Sequence, residues 1–171
     1  NQAIITRGLK NALLNSWTIA IMPLSSNTTI IKIKLALIAK DVKKLNNVLQ
    51  KAKEIGASDA RIYPCDIRET NKLENCIKGI INDFGTIDIL INNAGIRQKV
   101  MPLDKIEENI VDDVIATNLS ALIHTTRLLL PTLRTRDEAA IINIISKSWI
   151  TAQEGQSVYT ASKYGVQGFT E

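Results

Sequence analysis

Residues 87–91 read Ile-Asp-Ile-Leu-Ile, four apolar side chains in five positions, and then give way to Asn92-Asn93-Ala94-Gly95. A strand that faces water on one side alternates apolar with polar residues, because successive side chains point to opposite faces. A strand that does not alternate has to be covered on both faces, which restricts the chain to a parallel sheet layered between helices. The small polar run after this strand lies at its carboxyl end, where open α/β sheets leave a crevice for ligands.

The rest of the chain repeats that alternation of strand and helix. A short strand is expected at residues 3–6 and a fuller one at 33–39. A helix over 42–55 carries Leu45, Val48, Leu49, Ala52 and Ile55 on one stripe, with Gly56 as its stop. A strand at 60–63 ends in Pro64-Cys65-Asp66, and a helix over 70–84 buries Leu73, Cys76, Ile77, Ile80 and Ile81 before Gly85. One long helix is expected over 106–130, ended or kinked at Pro131. A strand at 139–145 and a last helix from Ser157 complete the pattern. Lys40, Asp66, Asn92 to Gly95 and Ser146 all fall at expected strand ends.

At 171 residues, with 45% apolar and 22% charged side chains, the chain suits one domain spanning 1–171 with a sizeable core. The net charge of +4 is carried by scattered lysines with few aromatics, which argues against nucleic-acid binding. No apolar run approaches the ~20 residues of a membrane helix. Cys65 and Cys76 have no metal-like spacing and read as reduced core residues of a cytoplasmic protein; no metal site is expected. The lone His124 falls mid-helix and reads as a packing or exposed residue.

Near the end, Tyr159 stands four residues before Lys163, and Ser146 thirteen before the tyrosine. A spacing of four places both side chains on one helical face. A phenol with a pKa of about 10 is a poor proton donor at neutral pH. An ammonium beside it favours the phenolate and lowers that pKa, making a general acid or base for carbonyl chemistry. A serine hydroxyl from a strand end suits holding the substrate oxygen. Taken alone, the Tyr-x-x-x-Lys spacing also fits an exposed helix face.

Asn-Asn-Ala-Gly at 92–95, Thr117-Asn118-Leu119, Ser146 and Tyr159-x-x-x-Lys163 stand in the order found in short-chain dehydrogenases/reductases, and from about residue 33 onward the sequence resembles that family. The resemblance implies a Rossmann-like doubly wound parallel sheet with helices on both faces. It implies an oxidoreductase moving a hydride between a nicotinamide and a carbonyl or alcohol, with Tyr159 as proton donor. Lys163 would lower the tyrosine pKa and hold the nicotinamide ribose, Ser146 would orient the carbonyl, and Asn118 would anchor a water chain to the lysine. An exposed helical asparagine is the alternative for Asn118. Asp66, followed by Ile67, matches the acid that contacts the adenine amine, and Asn92 the residue near the adenosine ribose. Ala94 and Gly95 would let the cofactor backbone approach; Gly95 also fits a simple turn. Asp88 is expected to tie strands together.

Cofactor choice is read after the second strand, where an acid accepts ribose hydroxyls and a cation welcomes a 2′-phosphate. Ala39 occupies the acidic place and Lys40 follows, which favours NADP(H) over NAD(H), although Lys40 also suits an ordinary exposed lysine. The family's phosphate loop, Thr-Gly-x-x-x-Gly-x-Gly, is poorly kept. Thr6 and Gly8 can be placed on it, but no register restores all three glycines, and Arg7 or Lys10 offers charge without the missing space. Residues up to the second strand are more numerous than usual, as in sepiapterin-reductase-like relatives. The helical pattern is still running at Glu171, where the family usually continues into further strands that line the substrate pocket. The chain thus resembles the front two-thirds of such a fold. An active NADP(H)-dependent reductase and a non-catalytic, oligomer-forming remnant both follow. A homo-oligomer is expected through the helices around Asn118 and Tyr159. Residues 100–103 and 149–153 are expected to wall the pocket.

Overall fold

The computed structural model describes residues 33–54 and 56–171. The strand expected at 3–6, Thr6, Gly8 and the glycine-poor loop lie outside the described residues, as does Ile55.

Strand β1 (Lys34–Ala39) is buried at every position after its first, and it is followed by helix α1 (Val42–Glu54). Asp41 caps that helix: its Oδ1 accepts the N–H of Lys44 at 3.0 Å. Strand β2 (Asp59–Pro64) pairs in parallel with β1, with Leu37 opposite Ile62. Helix α2 (Thr70–Phe84) buries Leu73, Ile77 and Ile80, the i, i+4, i+7 stripe of an amphipathic helix. Gly85 ends it at φ +79°, a left-handed conformation that favours glycine, and donates its N–H to Ile81 O.

The two periodicities explain how both faces of β1 are covered. Ala36 and Ile38 face Leu73, Ile77 and Ile80 of α2, together with Ile87, Leu90, Leu129 and Leu133. Leu35, Leu37 and Ala39 face Leu45, Val48 and Ala52 of α1. Alternate residues of one strand therefore feed two separate cores, each with its own helix. Fully burying a Leu or Ile contributes about 1.5–3 kcal/mol, so these two layers fix the sheet.

Strand β3 (Ile89–Asn92) pairs in parallel with β4 (Ala140–Asn143), Asn92 opposite Asn143. Between them the expected continuous helix over 106–130 is divided. A 3-10 turn (Leu103–Lys105) precedes α3 (Glu108–Ile115), and a π-helical turn (Ala116–Ser120) precedes α4 (Ala121–Leu133). The wide turn carries Thr117 and Asn118, both buried. Pro131 neither ends nor divides the helix. It removes one N–H, but α4 runs only to Leu133, and the N–H of Arg134, just beyond its end, is satisfied by Leu130 O. A 3-10 turn (Lys147–Trp149) and helix α5 (Ser157–Thr170) follow.

Asp88, next to β3, is 2% exposed and its Oδ1 accepts the Nε–H of Arg136 at 2.6 Å. The pair ties β3 to the segment leading into β4, as expected of Asp88. Cys65 is buried, Cys76 half-buried, and both are free thiols.

Removing Arg136 leaves a buried carboxylate without its cation. Arg136→Met should cost about 3 kcal/mol in urea unfolding, and the double variant Asp88→Asn/Arg136→Met distinctly less. Equal losses would mean that the ion pair is not what the fold needs at this position.

Candidate active site

The residues that the sequence singles out come from four places in the chain. Asn92 ends β3, and Asn93 to Gly95 follow it. Asn118 lies in the π turn, Ser146 follows β4, and Tyr159 and Lys163 occupy the first half of α5.

Asn118 is completely buried, which excludes the exposed-asparagine alternative. Its Oδ1 accepts the Ile96 N–H at 2.7 Å, and its Nδ2 donates to Ile96 O at 2.9 Å and to Ser162 Oγ at 2.9 Å. A buried amide is costly without partners; here three bonds offset that cost. Ser162 Oγ in turn donates to Tyr159 O at 2.7 Å. From the other side, Gln98 Oε1 accepts the Tyr159 N–H at 3.1 Å. The loop after Gly95 and the tyrosine's own helical turn are thus held in register by Asn118, Ser162 and Gln98.

Lys163 is 4% exposed, and its Nζ donates to Ile144 O at 2.9 Å. Ile144 N donates to Asn92 O at 2.9 Å, so the carbonyl that receives the ammonium is fixed by the β3–β4 ladder. Lys163 Nζ lies 6.0 Å from the centre of the Tyr159 ring. A Cβ placed on Gly95 would stand 3.4 Å from Asn118 Oδ1 and 3.5 Å from Lys163 Nζ. Gly95 does not have positive φ, and these are ordinary van der Waals separations.

Burial raises the Tyr159 pKa, but hydrogen bonds with Ser146 and Arg97 and the charges of Lys163 and Arg97 outweigh it. The phenol is held below its ordinary value. Burial of the ammonium depresses Lys163, opposed by its attraction to the tyrosine. Ser146 Oγ also accepts the Ser148 N–H at 3.3 Å, which sets it at the start of the 3-10 turn.

Lys40, Asp66 and Ile67 share one cleft with Ala39, Arg68, Ile96 and Thr117, at the carboxyl ends of β1 and β2. Asn92, Asn93 and Ala94 line an adjoining pocket that shares Ile38 and Ile67 with it. Asp66 is not a free acid: Arg68 Nη2 donates to its Oδ2 at 2.7 Å and Arg68 Nε to its Oδ1 at 3.0 Å. That guanidinium holds the Asp66 carboxyl below the usual range and also pairs with Asp113. Asn92 Nδ2 donates to Thr126 Oγ1 at 3.1 Å and to Asn143 Oδ1 at 2.9 Å. Its amide hydrogens bind α4 and β4, whatever else it contacts. The first expected pocket wall, 100–103, is held to the residues just beyond the second, 149–153: Met101 N donates to Gly155 O at 3.1 Å. A Cβ on Gly155, at φ +69°, would stand 2.7 Å from Val100 Cγ1.

Sequence reading missed Arg97, Arg68, Gln98 and Ser162. Arg97 has its guanidinium carbon 4.7 Å from the Tyr159 ring centre. A cation two residues beyond Gly95, and a serine immediately before Lys163, were the available signals.

Residues 30–171 match the family model described as short chain dehydrogenase, and the chain belongs to that family. It is 39% identical over 109 residues to a D-beta-hydroxybutyrate dehydrogenase of Cupriavidus necator, covering 64% of this chain and 42% of that protein. It is 35% identical over 138 residues to carbonyl reductase family member 4 of Xenopus tropicalis, covering 81% and 56%. A metagenomic short-chain oxidoreductase crystallised in complex with NADP superposes with a TM-score of 0.75 at 30% identity, covering 80% of this chain and 62% of that one. The chain spans about half the length of the two named relatives, 42% and 56%.

The fold keeps the Tyr159 phenol below the unfolded value of about 10, so between the two values the native state binds fewer protons. That contribution to stability is complete above about 10 and is lost as pH falls through the folded value. Lys163, depressed by burial, acts with the same sign: unfolding lets it charge, so lowering the pH through its folded value weakens the fold. Ultraviolet titration of the three tyrosines should show one ionisation below about 10 and a late one from Tyr63, raised by burial and its bond to Asp83. Tyr159→Phe should delete the early transition and Arg97→Met should move it upward. Persistence of the early step in Tyr159→Phe would assign it to another phenol.

Proposed function

We propose that the protein is an NADP(H)-dependent oxidoreductase that reduces a carbonyl or oxidises the corresponding alcohol. The observation that carries this reading is a buried phenol held below its ordinary pKa by Ser146, Arg97 and Lys163. When bound, the nicotinamide supplies or accepts the hydride at the carbon of the reacting group. Ser146 Oγ donates to the carbonyl oxygen and orients it. Tyr159 Oη gives its proton to that oxygen, and the phenolate left behind is stabilised by Lys163 and Arg97 until solvent restores the proton. Oxidation runs the same proton path backward. Asn118 acts as a positioning residue, since both its amide hydrogens are engaged in holding Ile96 and Ser162.

The residues present fit the nicotinamide ribose and the adenosine. The space a Cβ would take at Gly95 adjoins Lys163 Nζ, which suits a ribose hydroxyl. Asp66, Ile67, Asn92 and Ala94 line the two pockets that would take the adenosine. A carboxylate has lone pairs enough for an adenine amine beside Arg68. Thr6 and Gly8, outside the described residues, are assigned to the phosphates. Lys40 is exposed at the cleft, Ala39 is buried in the acid's place, and the Asp41 carboxylate is turned to its own helix. This arrangement supports NADP(H) over NAD(H). The names of the two relatives, a hydroxybutyrate dehydrogenase and a carbonyl reductase, agree with a small carbonyl or alcohol substrate.

We also assign a homo-oligomer through α3 and α5, where Ile110, Tyr164 and Phe169 are exposed. No helix among the described residues is long and apolar enough to cross a membrane, and a cytoplasmic setting accords with the free thiols.

Fluorescence titration with NADPH should saturate, and Lys40→Ala should weaken NADPH on the order of tenfold while leaving NADH nearly unchanged. Tyr159→Phe should lower turnover of a reducible carbonyl by roughly 10²–10⁴-fold with NADPH affinity retained. Absence of saturable binding at millimolar NADPH would leave the non-catalytic, oligomer-forming alternative.

A further inference from the structure

The cations beside Tyr159 outnumber the negative charges they serve. Lys163 and Arg97 both act on the phenol, and no acidic side chain is among the strongest influences on it. While the tyrosine is protonated, as it must be to deliver a proton, neither cation has a counter-charge there.

The two cations are placed differently. Lys163 is buried, tied to Ile144 O, and adjoins the Gly95 space. Arg97 is exposed, lies over the phenol ring, and has no acidic partner among the described residues. Other arginines near the clefts do have one: Arg68 pairs with Asp66 and Asp113, and Arg136 with Asp88. Arg97 follows Gly95 by two residues, in the loop that Asn118 pins at Ile96. Its backbone is therefore fixed, although its tip is in water. A planar fork of N–H donors with no acid bound to it is the side chain suited to a carboxylate, which it can take through two parallel bonds.

We propose that Arg97 is a substrate-recognition residue, and that the carbonyl substrate is a short oxo acid whose carboxylate pairs with its guanidinium while its carbonyl oxygen lies between Ser146 and Tyr159. The proposal rests on the oxidoreductase reading above and adds the charge of the substrate. The guanidinium carbon lies 4.7 Å from the ring centre, which favours an acid group close to the reacting carbonyl. A neutral ketone of the same shape fits the Ser146–Tyr159 pair equally well and leaves Arg97 unpaired. An acid also balances the local charge. By occupying Arg97, it removes one of the influences favouring the phenolate, and so tips Tyr159 toward the protonated form that reduction needs.

The test compares a short 3-oxo acid with its methyl ester in NADPH-dependent reduction by the full chain, in the unaltered protein, Arg97→Met and Arg97→Lys. The unaltered protein should prefer the acid, and the acid-to-ester ratio of kcat/KM should fall on the order of tenfold or more in Arg97→Met and recover in part in Arg97→Lys. Using the ratio cancels any effect of Arg97 on Tyr159 that both substrates feel. A ratio near one in the unaltered protein, or one unmoved by Arg97→Met, would overturn the proposal and leave the oxidoreductase reading intact. Saturation-transfer NMR with a short carboxylic acid and its amide needs no turnover. Acid binding that disappears in Arg97→Met supports the site even in a chain that reduces nothing, whereas equal binding of acid and amide overturns it.

Discussion

A lysine ammonium with 4% of its surface exposed, hydrogen-bonded to one backbone carbonyl, is the constraint around which this half of the molecule is arranged. Removing a cation from water without a carboxylate partner is expensive, and the cost appears as the depressed pKa of Lys163. Two things make it tolerable. The Ile144 carbonyl is held in place because its own residue donates to Asn92 O across the β3–β4 ladder. The Tyr159 ring approaches at a distance where a cation and an aromatic face attract, and its oxygen can carry the opposite charge. The lysine therefore depends on the sheet being in register and on helix α5 being correctly seated.

Seating α5 is the work of Asn118. A regular helix through 116–120 would turn its residues by a fixed step, whereas the wide π turn carries Asn118 where its amide reaches both Ile96 and Ser162. Close packing reinforces this. A Cβ on Gly165 would stand 2.7 Å from Leu119 Cδ2, so the glycine lets α5 lie directly against that turn. With Ser162 holding the Tyr159 carbonyl and Gln98 its N–H, the tyrosine's backbone is restrained on both sides.

Much of this was legible in the sequence, for reasons that can be named. The strands at 34–39 and 89–92 and the helix at 70–84 were readable because buried strands are apolar and a helix buries every third or fourth residue. The shared helical face of Tyr159 and Lys163 and the strand-end place of Ser146 were readable from spacing, whereas Asn118 was singled out through the resemblance to the family. The division of the 106–130 segment was not readable. Its apolar pattern suits a continuous helix, and the π turn is fixed by Asn118 finding Ile96, a partner 22 residues away. Pro131 does not end the helix, because only two helical residues follow it and little of the helix is left to disturb. Asp66 was rightly placed at the cleft, but that Arg68 would engage its carboxylate depends on a side-chain path that sequence does not specify.

The two cations near Tyr159 differ in burial, Lys163 being 4% exposed and Arg97 open to solvent. A charge held in the low-dielectric interior acts on its neighbour with little screening, so the buried Lys163 acts on the phenol largely independently of the salt around it. A guanidinium at the surface is screened by salt and water, and its pull on the phenol falls further when an anion pairs with it. Lys163 is therefore a fixed neighbour of the phenol, whereas the Arg97 side chain lies in water. Both cations favour the phenolate, but of the two Arg97 alone is exposed and open to an anion arriving from solution.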